Sequence, residues 1–148
     1  MSYRRRIRKE AIRYSEKHEK VLECLLIYSC DDNMNFVKFL NNTPIKIDIL
    51  FTNEYPFCPP KVVVNGYNYM NLLKISSPWK REMLLGKKCL CCSTLLCRNN
   101  WYPAANVVTI LTEVISNLKL KLRFNEIEHV KKIKYKYLIS DIPLEEYL

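Results

Sequence analysis

The sequence contains very little glycine, and this scarcity excludes two common kinds of phosphate-binding site. Only Gly66 and Gly86 occur among the 148 residues. Neither G-x-x-x-x-G-K-[ST] nor G-x-G-x-x-G can be built from two glycines so far apart, so P-loop and Rossmann-type sites are excluded. No apolar run approaches the eighteen residues of a membrane span either. We therefore expect no cofactor and no membrane partner.

The cysteines are unusual in number and in position. There are seven, and four of them crowd into the short segment 89–97. The chain begins Met1-Ser2-Tyr3-Arg4-Arg5-Arg6 with no apolar stretch behind it, so we expect no secretory signal. Cysteines in such a chain are typical of reduced thiols, and not of a disulfide framework. The sequence predicts a cytoplasmic or nuclear protein.

Length and composition are those of one soluble globular domain. Of the 148 residues, 49% are hydrophobic and 26% are charged. There are no internal repeats, no low-complexity segments and no linker. We therefore treat residues 1–148 as a single domain.

The net charge of +9 is unevenly distributed along the chain. Residues 1–20 hold eight Lys or Arg against three Glu, and residues 119–136 hold seven against two. Basic segments of this kind favour an acidic partner, either a nucleic acid or an acidic protein surface. The competing interpretation is a solvated, lysine-rich surface that only keeps the protein soluble.

The hydrophobic pattern predicts a helix followed by strands. Residues 3–18 form a basic helix with a weak apolar stripe at Ile7, Ala11, Ile12 and Tyr14. Short apolar segments bounded by turn residues then predict four strands in an antiparallel meander. Their expected positions are 21–28, 36–40, 45–51 and 62–64.

Helices are predicted again after the strands. The three prolines of Tyr55-Pro56-Phe57-Cys58-Pro59-Pro60 exclude a helix or a central strand, and we expect a rigid extended crossing. Pro103 opens a long amphipathic helix with apolar residues from Val107 to Leu122 at helical spacing. A second helix is expected at 125–138. This order of elements predicts an α+β fold.

Three motifs together resemble the ubiquitin-conjugating enzymes. Residues 55–62, Tyr-Pro-Phe-Cys-Pro-Pro-Lys-Val, are similar to the family's Y-P-F-x-P-P-K-V signature. Residues 86–90, Gly-Lys-Lys-Cys-Leu, resemble its G-x-x-C-L active-site motif, and residues 101–104, Trp-Tyr-Pro-Ala, resemble its W-S-P-A. The resemblance covers essentially the whole chain. It implies the family's fold: an N-terminal helix, a four-stranded meander, an active-site loop, a long central helix and a C-terminal helix.

The resemblance also implies a thioester-forming transferase. An activating enzyme would load ubiquitin or a ubiquitin-like modifier onto Cys89, and a substrate amine or a ligase would then receive it. Lys87 and Lys88 precede Cys89, and Arg98 follows it in sequence, so cations favour the reactive thiolate. Asn71 is the candidate donor to the oxyanion of the tetrahedral intermediate. Asn99 and Asn100 are alternative donors, and Cys91 and Cys92 are alternative nucleophiles.

The same resemblance implies which surface binds the other proteins of the pathway. In the family, the first helix docks the activating enzyme and, with the two proline-containing loops, the ligase. Structural support for the active site is implied for other residues of the same motifs. The implied contact residues here are Arg5, Arg8, Phe57, Pro103 and Ala104. The implied support residues are Tyr55, Pro56, Pro59, Pro60 and Trp101.

The chain departs from the family in several places. Where the family has His-Pro-Asn, this chain has Tyr69-Met70-Asn71, followed by an insertion over about residues 72–85. The acidic residue often found after the long helix is also missing. A catalytically inactive variant that binds ubiquitin or serves as a scaffold is therefore the first alternative function.

Two further alternatives concern metal and nucleic acid. Zinc prefers four ligands at spacings such as paired C-x₂₋₄-C, whereas C-x-C-C-x₄-C packs three sulfurs into four residues, so we expect no metal. A small basic nucleic-acid-binding protein is the second alternative function. Few aromatic residues interleave with the basic ones at the N-terminus and no recognised motif is present, so the sequence argues against it.

Overall fold

A helix, an antiparallel sheet and a long helix follow one another along the chain, so the α+β prediction is confirmed. The computed structural model describes residues 3–73 and 94–140, and the side chains of residues 3–73 and 94–123. The five strands lie in the order β1-β2-β3-β4-β5, and each pairs antiparallel with the next. The helices are α1 Tyr3–Arg13, α2 Glu19–Leu22, α3 Tyr69–Leu72 and α4 Val107–Ser140; the strands are β1 Cys24–Ser29, β2 Asn33–Leu40, β3 Thr43–Leu50, β4 Lys61–Val64 and β5 Tyr67–Asn68.

The first helical segment is longer than its hydrophobic stripe indicated. A single π-helical stretch, Tyr14–His18, joins α1 to α2, so helical backbone continues to Leu22. Glu23 then adopts a left-handed conformation with φ 50°, which ends the helix and starts β1 at Cys24. Ile7, Ala11 and Tyr14 are buried as expected, whereas Ile12 is 59% exposed.

The middle of the sheet follows the predicted alternation of buried and exposed residues. On β2, Met34 and Phe36 lie opposite Ile49 and Ile47 of β3. On the next strand pair, Ile47 and Ile49 lie opposite Val64 and Val62 of β4. All six side chains are buried, because successive residues of a strand point to opposite faces and these six share one face.

The sheet has five strands, so the prediction of a four-stranded meander was wrong in the number of strands. Asn65-Gly66 follows the predicted fourth strand directly, and both residues have positive φ, 49° and 84°, and form a two-residue hairpin turn. Such turns favour Asn-Gly because both central positions need φ above zero. The hairpin returns the chain as β5, which pairs with β4 through Val63–Asn68 and Val64–Tyr67.

The proline-rich segment is a tight turn and not the extended crossing that its prolines suggested. The carbonyl of Glu54 accepts hydrogen bonds from the backbone N–H groups of Phe57 at 2.8 Å and Cys58 at 3.0 Å. The N–H of Tyr55 donates to the carbonyl of Thr52 at 3.1 Å. The chain therefore reverses here before it enters β4.

The two helices expected after Pro103 are one. Helix α4 runs without interruption from Val107 to Ser140, and no proline or glycine interrupts that stretch of sequence. The helix begins four residues later than Pro103, because Asn106 caps it. The side-chain oxygen of Asn106 accepts a hydrogen bond from the backbone N–H of Thr109 at 3.1 Å.

One cluster of buried side chains joins the helices to the sheet. Helix α1 contributes Ile7 and Ala11, and the π-helical stretch after it contributes Tyr14, whose ring meets that of Phe36 edge to face at 5.1 Å. Helix α4 contributes the predicted apolar stripe, which is buried from Val107 to Leu118 and half-buried at Leu122. Across the described part of the chain, the search for a membrane-crossing helix finds none.

Candidate functional site

Two loops that are distant in sequence meet through Trp101. Its indole N–H donates to the carbonyl of Pro56 at 2.7 Å, and its ring lies 6.2 Å from the ring of Tyr55. Tyr55 is 1% exposed, and its ring also packs edge to face on Phe51 at 4.7 Å. The proline-rich turn and the Trp101–Ala104 segment are thereby held together.

Glu10 joins helix α1 to both loops. One carboxylate oxygen, Oε2, accepts a hydrogen bond from the Tyr55 hydroxyl at 2.6 Å. The other, Oε1, accepts from the backbone N–H of Val107 at 2.9 Å, in the first turn of α4. A negative charge at this helix N-terminus also interacts favourably with the helix dipole. One side chain therefore fixes three segments relative to one another.

Arg6 adds a second connection between helix α1 and the segment before α4. Its guanidinium donates to the carbonyl oxygens of Pro103 at 2.8 Å and Ala105 at 2.9 Å. It also pairs with Glu10 at 3.2 Å and lies over the Tyr55 ring, 5.2 Å from its centre. The Pro103–Ala105 backbone is consequently held against the helix by hydrogen bonds from a charged donor, which are stronger than neutral ones.

The surface above these contacts is apolar and exposed where the resemblance places the protein contacts. Phe57 is 78% exposed and Tyr102 is 47% exposed. Pro103 and Ala104 are also exposed. A groove of about 340 Å³ adjoins them between α1 and the start of α4, and it is lined by Arg6, Lys9, Glu10, Arg13, Ala104, Asn106, Val107 and Val108.

The two arginines predicted to contact partners differ in their surroundings. Arg5 is exposed and has no ion pair among the described residues. Arg8 pairs with Asp31 through a hydrogen bond of 2.8 Å. That hydrogen bond lowers the pKa of Asp31. Arg5 is therefore the freer of the two to meet an incoming acidic surface.

The three prolines predicted to support the site differ in burial. Pro60 is buried, and Pro56 and Pro59 are half-buried between the turn and its surroundings. Cys58, between them, is half-buried as well. The guanidinium of Arg98 lies 4.0 Å from the Cys58 sulfur and 3.9 Å from the Glu54 carboxylate. Among the described residues, Arg98 is thus engaged with the proline-rich turn.

Asn71 lies on the short helix α3, which is held in place by Tyr69. Tyr69 is fully buried, and its hydroxyl accepts a hydrogen bond from the side-chain amide of Asn117 at 2.8 Å. Asn71 itself is exposed, and its side chain makes no hydrogen bond to a described residue. The structure places the candidate oxyanion donor at the surface, directly before residues 74–93.

The predicted nucleophile Cys89, its alternatives Cys91 and Cys92, and Lys87 and Lys88 lie outside the described residues. The chain is described again from Thr94, which is 1% exposed. Its hydroxyl donates to Glu113 at 2.7 Å, and the backbone N–H of Leu95 donates to the same carboxylate at 2.6 Å. Glu113 and Asn117 lie one turn apart on α4. The described residues on the two sides of the 74–93 segment are therefore anchored to the same face of α4.

The described residues contain neither a metal-binding cluster nor a disulfide. No group of His, Cys, Asp or Glu side chains suited to hold a metal occurs there. Three of the four cysteines in the predicted cluster lie outside them. Cys24, Cys30, Cys58 and Cys97 have free thiols. Cys24 is buried, and this burial raises the pKa of its thiol.

We expect the protein to lose stability steeply above about pH 10, because three buried tyrosines must remain neutral in the folded state. Burial is the main cause that raises the pKa of Tyr14, Tyr55 and Tyr69, and a hydrogen bond to Glu10 adds to it at Tyr55. A tyrosine hydroxyl in the unfolded chain has a pKa of about 10. Above that pH the three hydroxyl groups lose their protons in the unfolded chain and keep them in the folded chain. The free energy of unfolding should therefore fall by up to roughly 4 kcal/mol per pH unit.

This expectation is measured by urea unfolding at a series of alkaline pH values. Below the unfolded pKa both states keep these protons, so the contribution of the three tyrosines is fully present and the free energy of unfolding should not change with pH through them. The ultraviolet absorbance of tyrosinate should show these tyrosines ionising only together with unfolding. Ionisation of every tyrosine near pH 10 with the circular dichroism unchanged would contradict the burial of the hydroxyl groups.

The site residues that the sequence analysis missed are mostly polar. Glu10, Arg6, Glu113 and Asn117 were not singled out, although a signal for Glu10 was present. It follows Ile7 by three residues and precedes Tyr14 by four, so it lies on the buried face of the helix. An acidic residue on the apolar side of a basic helix indicates a specific partner. Glu113 and Asn117 carried no such signal.

Comparisons with known proteins identify no relative of this chain. A scan against models of known protein families matches none of them, and a search among curated proteins finds no significant relative.

Proposed function

We propose that the chain is a divergent ubiquitin-conjugating-like protein that carries ubiquitin or a related modifier as a thioester on Cys89. The observation that carries the proposal is the meeting of the three segments that the resemblance assigns to partner binding. Trp101 joins the two loops, and Glu10 and Arg6 join both to helix α1. Phe57, Pro103 and Ala104 remain exposed beside them.

The proposed reaction needs few residues. The Cys89 thiolate attacks the carbonyl carbon of the thioester on the activating enzyme, and the thiolate of that enzyme leaves. A neutral substrate amine then attacks the new thioester, the Cys89 thiolate leaves, and the amine's proton passes to solvent. Each step forms one bond to the carbonyl carbon and breaks another. Asn71 is assigned to the developing oxyanion, where a side-chain donor accounts for ~10²–10³ in rate.

The direct test uses the full chain with an activating enzyme, ubiquitin and ATP. We expect an adduct on a gel without reductant and its disappearance with reductant, since thioesters react with added thiols. A panel of ubiquitin-like modifiers with their own activating enzymes tests which modifier is accepted. The absence of any adduct across the panel would leave the inactive variant as the function.

One observation favours that second candidate, a catalytically inactive variant that binds ubiquitin or acts as a scaffold. The exposed side chain of Asn71 is not held by any described residue, whereas an oxyanion donor works best when its position is fixed in advance. In this function, the Phe57, Pro103 and Ala104 surface would still bind its partner. Binding of a ligase without formation of an adduct is the expected result in that case.

Replacing Arg5 with Glu should slow the loading of the modifier several-fold at low salt. An exposed, unpaired arginine steers an acidic partner over long range, and this effect weakens as the Debye length falls from about 10 Å at 0.1 M salt to about 3 Å at 1 M. The rates should therefore converge as salt is added. Folding should be unchanged, because exposed helix charges contribute little to stability.

The matched control is Lys61→Glu, which makes the same change of charge at an exposed position on β4. Arg8→Glu makes the same change of charge at a position where Asp31 already pairs with the arginine. Its effect on steering should therefore be smaller than that of Arg5→Glu. Equal slowing by Arg5→Glu and Lys61→Glu would show that only the net charge matters. Helix α1 would then not be the surface that docks the activating enzyme.

A further inference from the structure

A second surface, away from Phe57, Pro103 and Ala104, lies where helix α4 passes the end of the sheet. Two clefts open there, of about 550 Å³ and about 210 Å³, and Leu40 and Leu122 line both of them. Leu40 is a buried residue of β2, and Leu122 packs against the core from α4. Together the two clefts form one surface at the edge of the hydrophobic core, which is named the α4 cleft here.

The floor of the α4 cleft is apolar. In its smaller part, Ile45 and Val64 of the sheet lie beside Leu118 of the helix. Tyr67 lines the same part and is 67% exposed, although Val64, its partner in the sheet, is buried. Residues directly opposite each other on neighbouring strands point to the same face, so Tyr67 shares the core-facing side with Val64. The floor therefore offers contacts to apolar side chains of a partner.

The rim of the α4 cleft is basic. Lys119 and Arg123 lie one turn apart on α4, both are exposed, and neither forms an ion pair with a described residue. Lys121 adds a third cation and donates a hydrogen bond to a backbone carbonyl. The acid in the lining, Glu23, lies 4.0 Å from the ammonium group of Lys38, which offsets its charge. The cleft therefore favours an occupant that is acidic and apolar at once.

The last eight residues of the sequence have this composition. Residues 141–148, named the tail here, read Asp-Ile-Pro-Leu-Glu-Glu-Tyr-Leu, with three acids, no cation and four large apolar or aromatic side chains. They follow directly on α4, which ends at Ser140. The tail therefore matches the α4 cleft in charge and in apolar character.

The length of the chain prevents the tail from filling the cleft of its own copy. Leu122 and Ser140 are 18 positions apart on α4, which is a rise of about 27 Å at 1.5 Å per residue. Eight fully extended residues span at most about 28 Å. A tail that returned along its own helix would bring only residue 148 back to Leu122. In an antiparallel pair of α4 helices, by contrast, the end of each helix comes to the cleft of the other copy.

We propose that two copies of the chain form a twofold dimer in which the tail of each copy occupies the α4 cleft of the other. Glu145 and Glu146 meet the basic rim at Lys119 and Arg123, and the apolar side chains of the tail cover the apolar floor. Reciprocal exchange between two copies closes on itself, so it makes a dimer and not a filament. The dimer does not depend on the thioester reaction, and it leaves the surface around Phe57 open.

Sedimentation velocity of the full chain, over a range of protein and salt concentrations, tests the proposal. We expect an equilibrium between monomer and dimer that moves toward the monomer as salt is added, because salt screens the charges at the rim. A synthetic peptide with the sequence of residues 141–148 should also move it toward the monomer, by competing for the cleft. A chain that stays monomeric at every concentration would overturn the proposal. Binding of the peptide to such a monomer would point to a different acidic partner.

Charge reversal tests the two sides of the contact separately. The tail variant carries Glu145→Lys with Glu146→Lys, and the cleft variant carries Lys119→Glu with Arg123→Glu. Each should weaken the dimer at least ~10-fold, since like charges then face each other at the rim. The circular dichroism of each variant should equal that of the parent chain, because exposed charges contribute little to stability.

The matched control for the tail variant is Glu16→Lys with Glu54→Lys. It makes the same change of net charge at two exposed positions away from the cleft, and it should leave the dimer unchanged. Equal weakening by the control and by the tail variant would show that only net charge matters, and it would overturn the proposal.

Mixing the two reversed variants separates exchange between copies from any effect within one chain. In a mixed dimer the reversed tail meets the reversed cleft, and the native tail meets the native cleft. The equimolar mixture should therefore dimerise about as tightly as the parent chain, although each variant alone does not. A mixture that dimerises no better than its components would overturn the exchange of tails.

Discussion

Cys89→Ser should abolish the reductant-sensitive adduct, while Cys91→Ser and Cys92→Ser should retain it. This is the largest expected effect, because a serine oxygen is a far weaker nucleophile at neutral pH than a thiolate, and any ester that it formed would resist reductant. The gel assay with activating enzyme, ubiquitin and ATP measures it directly. The two neighbouring cysteines are matched controls, since each loses one sulfur from the same segment.

Other outcomes of this experiment are equally informative. Loss of the adduct only in Cys92→Ser would move the nucleophile by three positions and would break the alignment with the G-x-x-C-L motif. Elemental analysis of the purified chain supplies an independent check, for which we expect no stoichiometric zinc. About one zinc per chain would contradict a thioester role for this cysteine cluster.

Glu10→Ala should lower the free energy of unfolding by roughly 3 kcal/mol. The substitution leaves the hydroxyl of Tyr55 and the N–H of Val107 without their acceptor, and both residues are only 1% exposed. A buried donor that loses its acceptor costs ~1–3 kcal/mol. Urea unfolding at neutral pH measures the change. Glu16→Ala is the control, because Glu16 is an exposed carboxylate in the same helical segment.

A double-mutant cycle isolates the contact with Tyr55. In a Tyr55→Phe background the hydroxyl is absent, so Glu10→Ala should cost less than in the parent chain. Additive effects of the two substitutions would show that the hydrogen bond of 2.6 Å adds nothing to stability. If the proposed function holds, the same variants should weaken ligase binding, since Glu10 fixes the loops that carry Phe57 and Pro103.

The local pattern of the sequence predicted most of the elements and failed where turn chemistry was misjudged. The apolar stripe of α4 and the alternation through Ile47 and Ile49 predicted the buried faces correctly. The sequence analysis missed the hairpin turn at Asn65-Gly66 and therefore missed the fifth strand that follows it. Pro103 was taken as the start of α4, whereas the cap is Asn106.

The candidate site could be predicted only as separate motifs. The resemblance to a family, and not any rule of spacing, predicts that Phe57, Pro103 and Ala104 form one surface with Trp101 as structural support. Trp101 and Pro56 are motif residues in contact, but the connections to helix α1 involve residues that no motif contains. Arg6 and Glu10 lie 97 to 99 positions from the backbone groups they bind.

What the sequence determined by itself is the order of elements, their buried faces and the excess of positive charge, because each depends on neighbours within a few residues. What only the tertiary structure decided is which polar groups meet. Hydrogen-bond partners such as Glu10 and Val107, or Glu113 and Thr94, come together because the core brings their elements into contact.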